Sequence, residues 1–298
     1  MGYIIAADIG GTKLATALFD IEGKLIKRLE KKSEKKDGER LFRSFIESCD
    51  ELCAMKGIER RDIQGISVGL PGIVDANKGI ALFQNNLPWP NFPFVDRVKA
   101  EFPSVNVYMD NDVHMAAWGE FAIRQLTIEP FIYITLSTGI SCCSIYGGSF
   151  IRGSGMAGEI GLSLADEKGK TLEETVSGPV LEAKGQKVFG NSELTLKDIM
   201  AYYYAGDERA ISIVNEAIIA LAQTIHQLLV YADPAYIVLG GGVFNHHPQL
   251  VDLVRRKVGD YLKHPLLKGK QSRIEGSILK GDAGLKGASM RIAKEPIS

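Results

Sequence analysis

The stretch that decides the fold is Asp8-Ile9-Gly10-Gly11-Thr12, which lies between two apolar runs, residues 4–7 and 14–19. The pattern predicts two β-strands joined by a tight turn, and the bare backbone amides of such a turn can approach a polyphosphate closely. Asp8 can hold a magnesium ion through its water ligands, and Thr12 can donate its hydroxyl to a phosphate oxygen. A plain hairpin with an Asx turn fits these residues equally well, so the rest of the chain has to decide between the two interpretations.

The composition argues against several classes of protein. The chain has 298 residues, and 35 Lys and Arg against 36 Asp and Glu give a net charge of −1, so no basic excess indicates a nucleic-acid-binding protein. The length favours two domains over one. No apolar run approaches the roughly 20 residues that span a membrane, and the first residues lead into a strand without a signal sequence. Four cysteines without ligand spacing predict reduced thiols, so we expect a cytoplasmic protein with no membrane partner.

Polar residues follow several of the predicted strands. The strand over 63–70 ends at Pro71-Gly72, and the strand over 105–109 ends at Asp110-Asn111-Asp112. With helices between them, such strands predict an α/β sheet that binds ligands at the strand ends. The second half repeats the pattern, because an apolar strand over 131–136 is followed by Ser137-Thr138-Gly139 and another apolar segment. This repeat of the opening hairpin predicts a duplicated fold in which each half contributes one phosphate loop.

A run of three glycines, Gly240-Gly241-Gly242, follows the last strongly apolar segment. A long helix is predicted over 208–231, with apolar residues at spacings of three and four, and a short apolar strand over 236–239 comes after it. Three glycines at the end of that strand let the backbone lie flat against a planar ligand, for which adenine is the natural candidate. A flexible loop is the alternative interpretation of the same glycines.

Seven motifs occur along nearly the whole chain: Asp8 to Lys13, Gly69 to Asp75, Asn111-Asp112, Ser137 to Ile140, Gly155 to Gly161, Leu239 to Val243 and Gly281 to Ala288. In this order they resemble the ROK family (repressors, open reading frames and kinases). The resemblance implies an α/β, two-lobed actin-like ATPase or sugar kinase (ribonuclease H-like) fold with a cleft between the lobes. It implies an N-terminal lobe of residues 1–120, completed by the C-terminal helix at about 282–298, and a C-terminal lobe of residues 121–281.

The resemblance further implies a kinase that uses ATP and Mg²⁺. The family's repressors carry a DNA-binding helix-turn-helix ahead of the first phosphate loop, whereas seven residues precede Asp8 here, so we expect no nucleic-acid partner. Magnesium would be held by Asp8 through water. The resemblance assigns the phosphates and the adenine of ATP to ten residues: Asp8, Gly10, Gly11, Thr12, Lys13, Thr138, Gly139, Gly240, Gly241 and Gly242.

The sugar site follows from the same resemblance. It places the general base at Asp112, which would take the proton of a sugar hydroxyl. Asn111 can donate to and accept from neighbouring hydroxyls, and Glu159 matches a family residue that accepts hydrogen bonds from the sugar. The alternative for Asn111 and Asp112 is that they cap the following helix, and the two roles are compatible. Glu173 matches a second sugar-binding glutamate, with a shortened loop before it. Family members are commonly dimers, so we expect a homodimer.

The chain departs from the family pattern directly after Gly161. Many members have a histidine there, which contacts the sugar and a structural zinc ion, followed by a cysteine-rich loop. This chain has Leu162 and no cysteine through Lys170, so we expect no zinc site. A leucine cannot hydrogen-bond a free anomeric hydroxyl but can pack against a substituent on that oxygen.

Zinc-less β-glucoside kinases share this loss. We therefore expect the chain to phosphorylate O6 of the nonreducing glucose of β-glucosides such as cellobiose. An N-acetylmannosamine kinase or a glucokinase is the alternative within the same reaction. A noncatalytic sugar-binding regulator with the same fold is the alternative from another class.

Overall fold

Strands with helical connections build two α/β units in the computed structural model, which describes residues 2–84 and 86–292. The first unit is Met1–Leu126 with Asp282–Ser298, and the second is Thr127–Gly281. The expected division near residue 120 falls inside a helix, Asp112–Ile123, which the first unit contains whole.

The first unit contains seven strands and four helices within the described residues. The strands are β1 (Tyr3–Ile9), β2 (Lys13–Asp20), β3 (Leu25–Lys32), β4 (Ile63–Leu70), β5 (Ile73–Asp75), β6 (Ile80–Phe83) and β7 (Asn106–Asn111). The helices are α1 (Gly38–Ala54), α2 (Phe94–Glu101), α3 (Asp112–Ile123) and α10 (Ala283–Ile292). The hairpin predicted on either side of Gly10-Gly11 is confirmed, because β1 and β2 pair antiparallel.

The second unit contains five strands and six helices within the described residues. The strands are β8 (Phe131–Leu136), β9 (Ile140–Tyr146), β10 (Ser149–Phe150), β11 (Tyr236–Gly240) and β12 (Ile274–Gly276). The helices are α4 (Glu173–Val176), α5 (Gly178–Phe189), α6 (Leu196–Tyr204), α7 (Glu208–Tyr231), α8 (Gly241–His246) and α9 (Gln249–Tyr261). The helix predicted over 208–231 is confirmed with the same bounds.

The main sheets of the two units have the same topology. The first has the order β3-β2-β1-β4-β7, and the second has the order β10-β9-β8-β11-β12. In each, an antiparallel hairpin (β1-β2 or β8-β9) is extended by two parallel strands that follow helical crossovers. The repeat predicted from the hairpin at the start of each half is therefore present in the whole sheet. Parallel strands end at one edge of a sheet, and the predicted phosphate loops follow β1 and β8 at that edge.

Buried aliphatic and aromatic side chains form separate cores in the two units. The first core lies between the sheet and α1 and includes an aromatic group of Phe42, Phe45, Trp89 and Phe94. A smaller cluster lies on the opposite face of the same sheet, where α10 covers small residues of β1 and β2. The second core lies largely against α7.

Helix α7 corrects one expectation about membrane segments. By length and composition it is long and apolar enough to cross a membrane, with a mean hydropathy of 1.4 over its most apolar stretch. The expectation that no run approaches this length is therefore wrong. Half of that stretch is buried inside the protein, because residues such as Ile213, Leu221 and Ile225 pack in the core of the second unit.

Candidate active site

The first predicted phosphate loop is the turn between β1 and β2. Its backbone closes on itself, because the amide of Gly10 donates to the carbonyl of Lys13 at 3.0 Å. Gly11 has no room for a side chain, since an ideal Cβ there would lie 2.6 Å from the Cβ of Asn86. Thr12 is exposed. The turn is thus a closely packed backbone structure with the Thr12 side chain at the surface, as a phosphate cradle requires.

Asp8 lies at the end of β1, facing the first turn of α10. An ideal Cβ at Gly284 would lie 3.3 Å from Oδ2 of Asp8, so the carboxylate is close to the N-terminus of that helix. Burial raises the pKa of Asp8, and the nearby positive charges of Lys13 and Arg28 lower it. A helix N-terminus favours anions. Mg²⁺ prefers oxygen ligands, and a half-buried carboxylate at this position could hold the ion through its water ligands.

Charged side chains form a chain at the surface between the phosphate loop and the start of α10. Nζ of Lys13 lies 3.1 Å from Oε1 of Glu30. Arg28 forms ion pairs with both Glu30 and Asp282. Lys13 was predicted to contact phosphate, and it can do so only by leaving or sharing its partner Glu30.

Asn111 caps α3, as the alternative interpretation of Asn111-Asp112 predicted. Its side-chain oxygen accepts from the amides of Val113 at 2.8 Å and His114 at 3.3 Å. Its side-chain nitrogen donates to the carbonyl of Gly72 at 2.9 Å. The oxygen is therefore used within the protein, and a sugar contact by Asn111 would come from the second hydrogen of its amide nitrogen.

Asp112 is the first residue of α3 and is half-buried. Gly69 lets this helix pack closely on β4, because an ideal Cβ at Gly69 would lie 3.3 Å from both Cα of Asp112 and Cγ of Met115. One carboxylate oxygen of Asp112 accepts from the amide of Val113 at 2.9 Å. This packing fixes the position of the Asp112 backbone, from which the carboxylate extends at the N-terminus of α3.

A buried hydrogen-bond network beside Asp112 was not predicted from the sequence. Asp110 is fully buried and accepts from the hydroxyl of Tyr108 at 2.9 Å and from the amide of Asn111 at 2.8 Å. Nδ1 of His114 lies 2.9 Å from the same carboxylate. Burial, followed by the charge of Asp110, raises the pKa of Tyr108 to about 12. The signal was available, since Tyr108 and Asp110 share one face of a strand and His114 follows Asp110 by four residues.

The second predicted phosphate loop, Ser137-Thr138-Gly139, joins β8 to β9. The amide of Ser137 donates to the carbonyl of Gly139 at 2.8 Å, and the carbonyl of Ser137 accepts from the amide of Gly178 at 2.9 Å. Thr138 is exposed. Like the loop of the first unit, this one is a tight turn with a hydroxyl at the surface, and it is held against the start of α5.

The three glycines form a strand end and a helix start. Gly240 ends β11, and Gly241 and Gly242 begin α8. Gly241 has a φ of +85°, and an ideal Cβ there would lie 2.5 Å from the carbonyl oxygen of Leu136. An ideal Cβ at Gly242 would lie 3.2 Å from Oγ of Ser137. The flexible-loop interpretation is therefore wrong, because these glycines allow α8 to pack directly against β8 and the second phosphate loop.

A pocket of about 560 Å³ opens beside this packed region. It is lined by Ser137, Thr138, Gly178, Pro179, Glu182, Leu196, Lys197, Gly242, Val243, His246 and His247. The structure thus brings Thr138 and Gly242 to one pocket, whereas Gly139, Gly240 and Gly241 are not among its lining residues. The residues that α5 and α6 contribute to this pocket belong to none of the sequence motifs. Nδ1 of His246 lies 2.7 Å from the carbonyl of Gly242, which fixes the imidazole at the pocket wall.

Glu159 lies in a loop that is attached to β9. The carbonyl of Gly158 accepts from the amide of Cys142 at 2.8 Å, and Gly158 has a φ of +101°, which favours glycine. Glu159 is exposed and precedes a 3₁₀ turn over 160–162. Leu162, at the end of this turn, is 62% exposed. The predicted sugar-binding carboxylate and the leucine that replaces the family's histidine are therefore separated by a single short turn.

Glu173 begins α4 and lies beside both loops of the second unit. Its Oε2 accepts from the amide of Ile140 at 3.0 Å. An ideal Cβ at Gly139 would overlap this oxygen, and one at Gly161 would lie 3.3 Å from it. Glu173 therefore contacts the predicted phosphate loop as well as the turn after Glu159. The resemblance assigned it to the sugar and did not indicate the contact with the predicted phosphate loop.

Metal-ligating side chains are dispersed in the part of the chain that the structure describes. No group of three or more His, Cys, Asp or Glu residues that could hold a metal ion occurs among residues 2–84 and 86–292. Cys49, Cys53, Cys142 and Cys143 are free and buried. Burial raises the pKa of Cys142 to about 12, so its thiol stays protonated.

Comparison with known proteins identifies the family. The ROK family profile matches residues 4–295. A glucokinase from Halalkalibacterium halodurans is 26% identical over 318 residues, with 98% of this chain and 96% of that protein covered. An N-acetylmannosamine kinase from Escherichia coli is 29% identical over 251 residues, with 80% and 82% covered. A ROK hexokinase from Thermus thermophilus superposes with a TM-score of 0.77 at 27% identity, with 97% of both chains covered.

The chain belongs to the ROK family. Its two repeated α/β sheets are those of the family's actin-like ATPase fold, as the seven motifs implied. It is a carbohydrate kinase of that family.

Proposed function

We propose that the protein transfers the γ-phosphoryl group of ATP to O6 of the nonreducing glucose of β-glucosides such as cellobiose. Leu162 is the observation that carries this specificity. It is exposed at the end of the turn that follows Glu159, at the position where many relatives have a histidine. An apolar side chain there has no hydrogen bond to offer a free anomeric hydroxyl but can contact a glycosidic substituent.

Asp112 is proposed as the general base. As the sugar oxygen forms its bond to the γ-phosphorus, the bond from that phosphorus to the bridging oxygen breaks and ADP leaves. The hydroxyl proton passes to the Asp112 carboxylate. Asn111, held rigid by its cap bonds and by Gly72, is proposed to orient the sugar with its remaining amide hydrogen.

The nucleotide contacts are proposed for both units. The amides of Gly10, Gly11 and Gly139 and the hydroxyls of Thr12 and Thr138 suit phosphate oxygens. The pocket beside Gly242 suits the adenine ring by its size and by its position at the second phosphate loop. Asp8 would hold Mg²⁺, and that ion, when bound, would neutralise charge on the phosphates.

The remaining expectations are also proposals. We propose that no zinc ion is required, because Leu162 and the short loop after it supply none of the ligands of the family's zinc site. We propose a cytoplasmic location, which the free thiols favour. We propose a homodimer by analogy with the family, with a small sugar as the only further partner and with no nucleic acid or membrane bound.

Two monosaccharides are the alternative substrates. The glucokinase and the N-acetylmannosamine kinase are similar to this chain to nearly the same extent, and either monosaccharide would suit Asp112 and Glu159.

Initial rates of ADP release on cellobiose, gentiobiose, glucose and N-acetylmannosamine separate these proposals. We expect the highest kcat/KM for a disaccharide. Leu162→His should shift the ratio toward free glucose by about 10–200-fold, the range for one pocket contact. A wild-type preference for a monosaccharide would contradict the β-glucoside assignment and leave the kinase assignment intact.

Leu164→His is the matched control for this experiment. Leu164 is 70% exposed, lies two residues farther along the same loop and presents the same side chain. Its substitution should leave the substrate ratio unchanged. An equal shift in both variants would show that loop disturbance, rather than the contact at Leu162, causes the change.

A further inference from the structure

The carboxylate of Glu173 joins two loops that serve different substrates in the proposed function. Its Oε2 accepts the backbone amide of Ile140 at 3.0 Å. Ile140 directly follows the phosphate loop, so this bond holds the loop where it enters β9. The same oxygen lies against Gly161, in the turn after Glu159, where an ideal Cβ would be 3.3 Å away.

Glu173 packs against a glycine at each of the two loops, although at Gly161 the carbonyl oxygen of Ile140 lies nearer still, 2.7 Å from an ideal Cβ. The three heavy atoms nearest to an ideal Cβ at Gly139 all belong to Glu173, and its Cδ would be 3.2 Å away. At Gly161, the Cβ of Glu173 would be 3.4 Å away. Gly139 has no positive φ, so a side chain there would disturb the Glu173 carboxylate and would not strain the backbone.

We propose that Glu173 is a positioning residue for nucleotide binding: by accepting the Ile140 amide it fixes the second phosphate loop and links that loop to the sugar-binding turn. This inference rests on the proposed function and deepens it, because the family resemblance alone assigns Glu173 to the sugar. A carboxylate beside a phosphate loop repels phosphate, so its benefit to the nucleotide has to come from holding the loop in place.

Binding of a nonhydrolysable ATP analogue in the absence of sugar tests the proposal directly. Glu173→Ala removes the acceptor, and we expect affinity for the analogue to fall about tenfold, the scale of one lost hydrogen bond to a charged group. Glu173→Gln keeps an acceptor oxygen and removes the charge, so it should bind the analogue within about threefold of wild type. Wild-type affinity in Glu173→Ala, together with a raised KM for sugar, would overturn the proposal and make Glu173 a sugar contact only.

Glu174→Ala is the matched control. Glu174 is the next residue, is exposed and also accepts a backbone amide, that of Thr171 at 2.8 Å. That bond joins α4 to the residue two positions before it and does not reach the predicted phosphate loop. Affinity for the analogue should be unchanged in this variant, and an equal fall in Glu173→Ala and Glu174→Ala would overturn the proposal by assigning the effect to disruption of α4.

A double-mutant cycle with Gly139→Ala gives a second test. The new methyl would displace the Glu173 carboxylate from the Ile140 amide, so Gly139→Ala alone should weaken the analogue about as much as Glu173→Ala. With the Glu173 carboxylate already removed, the new methyl makes no close contact, because the other atoms around it lie no nearer than 3.8 Å. The double variant should therefore bind no worse than either single one. Additive losses would overturn the proposal. Because sugar is absent throughout, failure of the β-glucoside assignment would leave these outcomes unaffected.

Discussion

Replacing Gly287 by alanine tests how closely α10 must pack against α3. An ideal Cβ at Gly287 would overlap the carbonyl oxygen of Met115 and would lie 2.7 Å from the carbonyl carbon of that residue and 2.8 Å from the amide nitrogen of Gly119. Ordinary contact begins at 3.4 Å. All three neighbours are backbone atoms, so no side-chain rotation relieves the overlap and the helices have to move apart.

Two opposing effects set the expected magnitude. Alanine in a helix interior is intrinsically about 1 kcal/mol more favourable than glycine. Separating the helices opens the cluster under α10, where Ile4, Phe19, Leu285 and Ile292 are all buried, and overpacking of this kind costs about 1–3 kcal/mol or more when backbone moves. The overlap at Gly287 is extreme, so we expect the free energy of unfolding to fall by roughly 2 kcal/mol.

Urea unfolding followed by circular dichroism measures this change. Gly281→Ala is the control, because Gly281 lies just before the same helix and an ideal Cβ there would meet no heavy atom within 4 Å. That variant should be neutral or about 0.4–1 kcal/mol more stable, through the reduced freedom of the unfolded chain. A Gly287→Ala protein as stable as Gly281→Ala would refute the reasoning. Turnover should fall as well, because a shift of Met115 would also move Asp112, which lies one turn earlier in α3.

Two further substitutions test the proposed chemistry of the first unit. Asp112→Asn keeps the shape and removes the proton acceptor, so turnover should fall about 10²–10⁴-fold while affinity for an ATP analogue stays unchanged; near-wild-type turnover would contradict the assignment. Asp8→Asn should raise the free energy of unfolding at neutral pH, because burial raises the pKa of this carboxyl and its charged form is therefore costly in the folded state. The stability gained over wild type should shrink as the pH falls, because Asp8 becomes protonated. Urea titrations at neutral and acidic pH measure this difference. A difference that grows toward acidic pH would contradict the prediction. The same variant should lose magnesium-dependent nucleotide binding.

The sequence predicts local features of this fold well because they depend on neighbours in the chain. The hairpin at Gly10-Gly11 needs only two apolar strands and a turn, and α7 needs only apolar residues at spacings of three and four. Helix α7 has the predicted bounds, and β1 and β2 extend one or two residues beyond the apolar runs that predicted them. The repeat of the hairpin at Ser137 to Gly139 was enough to predict a second sheet of the same design.

The sequence predicts less where distant segments meet. The role of Gly241 depends on the approach of α8 to Leu136, which is a contact across the sheet. The position of Glu173 against Gly139 depends on the path of the loop between them. Asp110 and His114 are an intermediate case, since their spacing of four was visible but the complete burial of Asp110 was not. Assignments to Asp112, Glu159 and the phosphate loops come from the family and stay predictions until they are measured.

The covering of the first sheet by α10 has a consequence for the biosynthesis of the chain. The face of β1 and β2 formed by Ile4, Ala6, Ala15 and Phe19 is buried only when residues 283–292 pack on it. Residues 127–281 form one continuous segment, so the second unit has its whole core available before the ribosome has made the last helix of the first. The part of the protein that is synthesised first is therefore completed last, and until then it exposes an apolar sheet face that is open to aggregation.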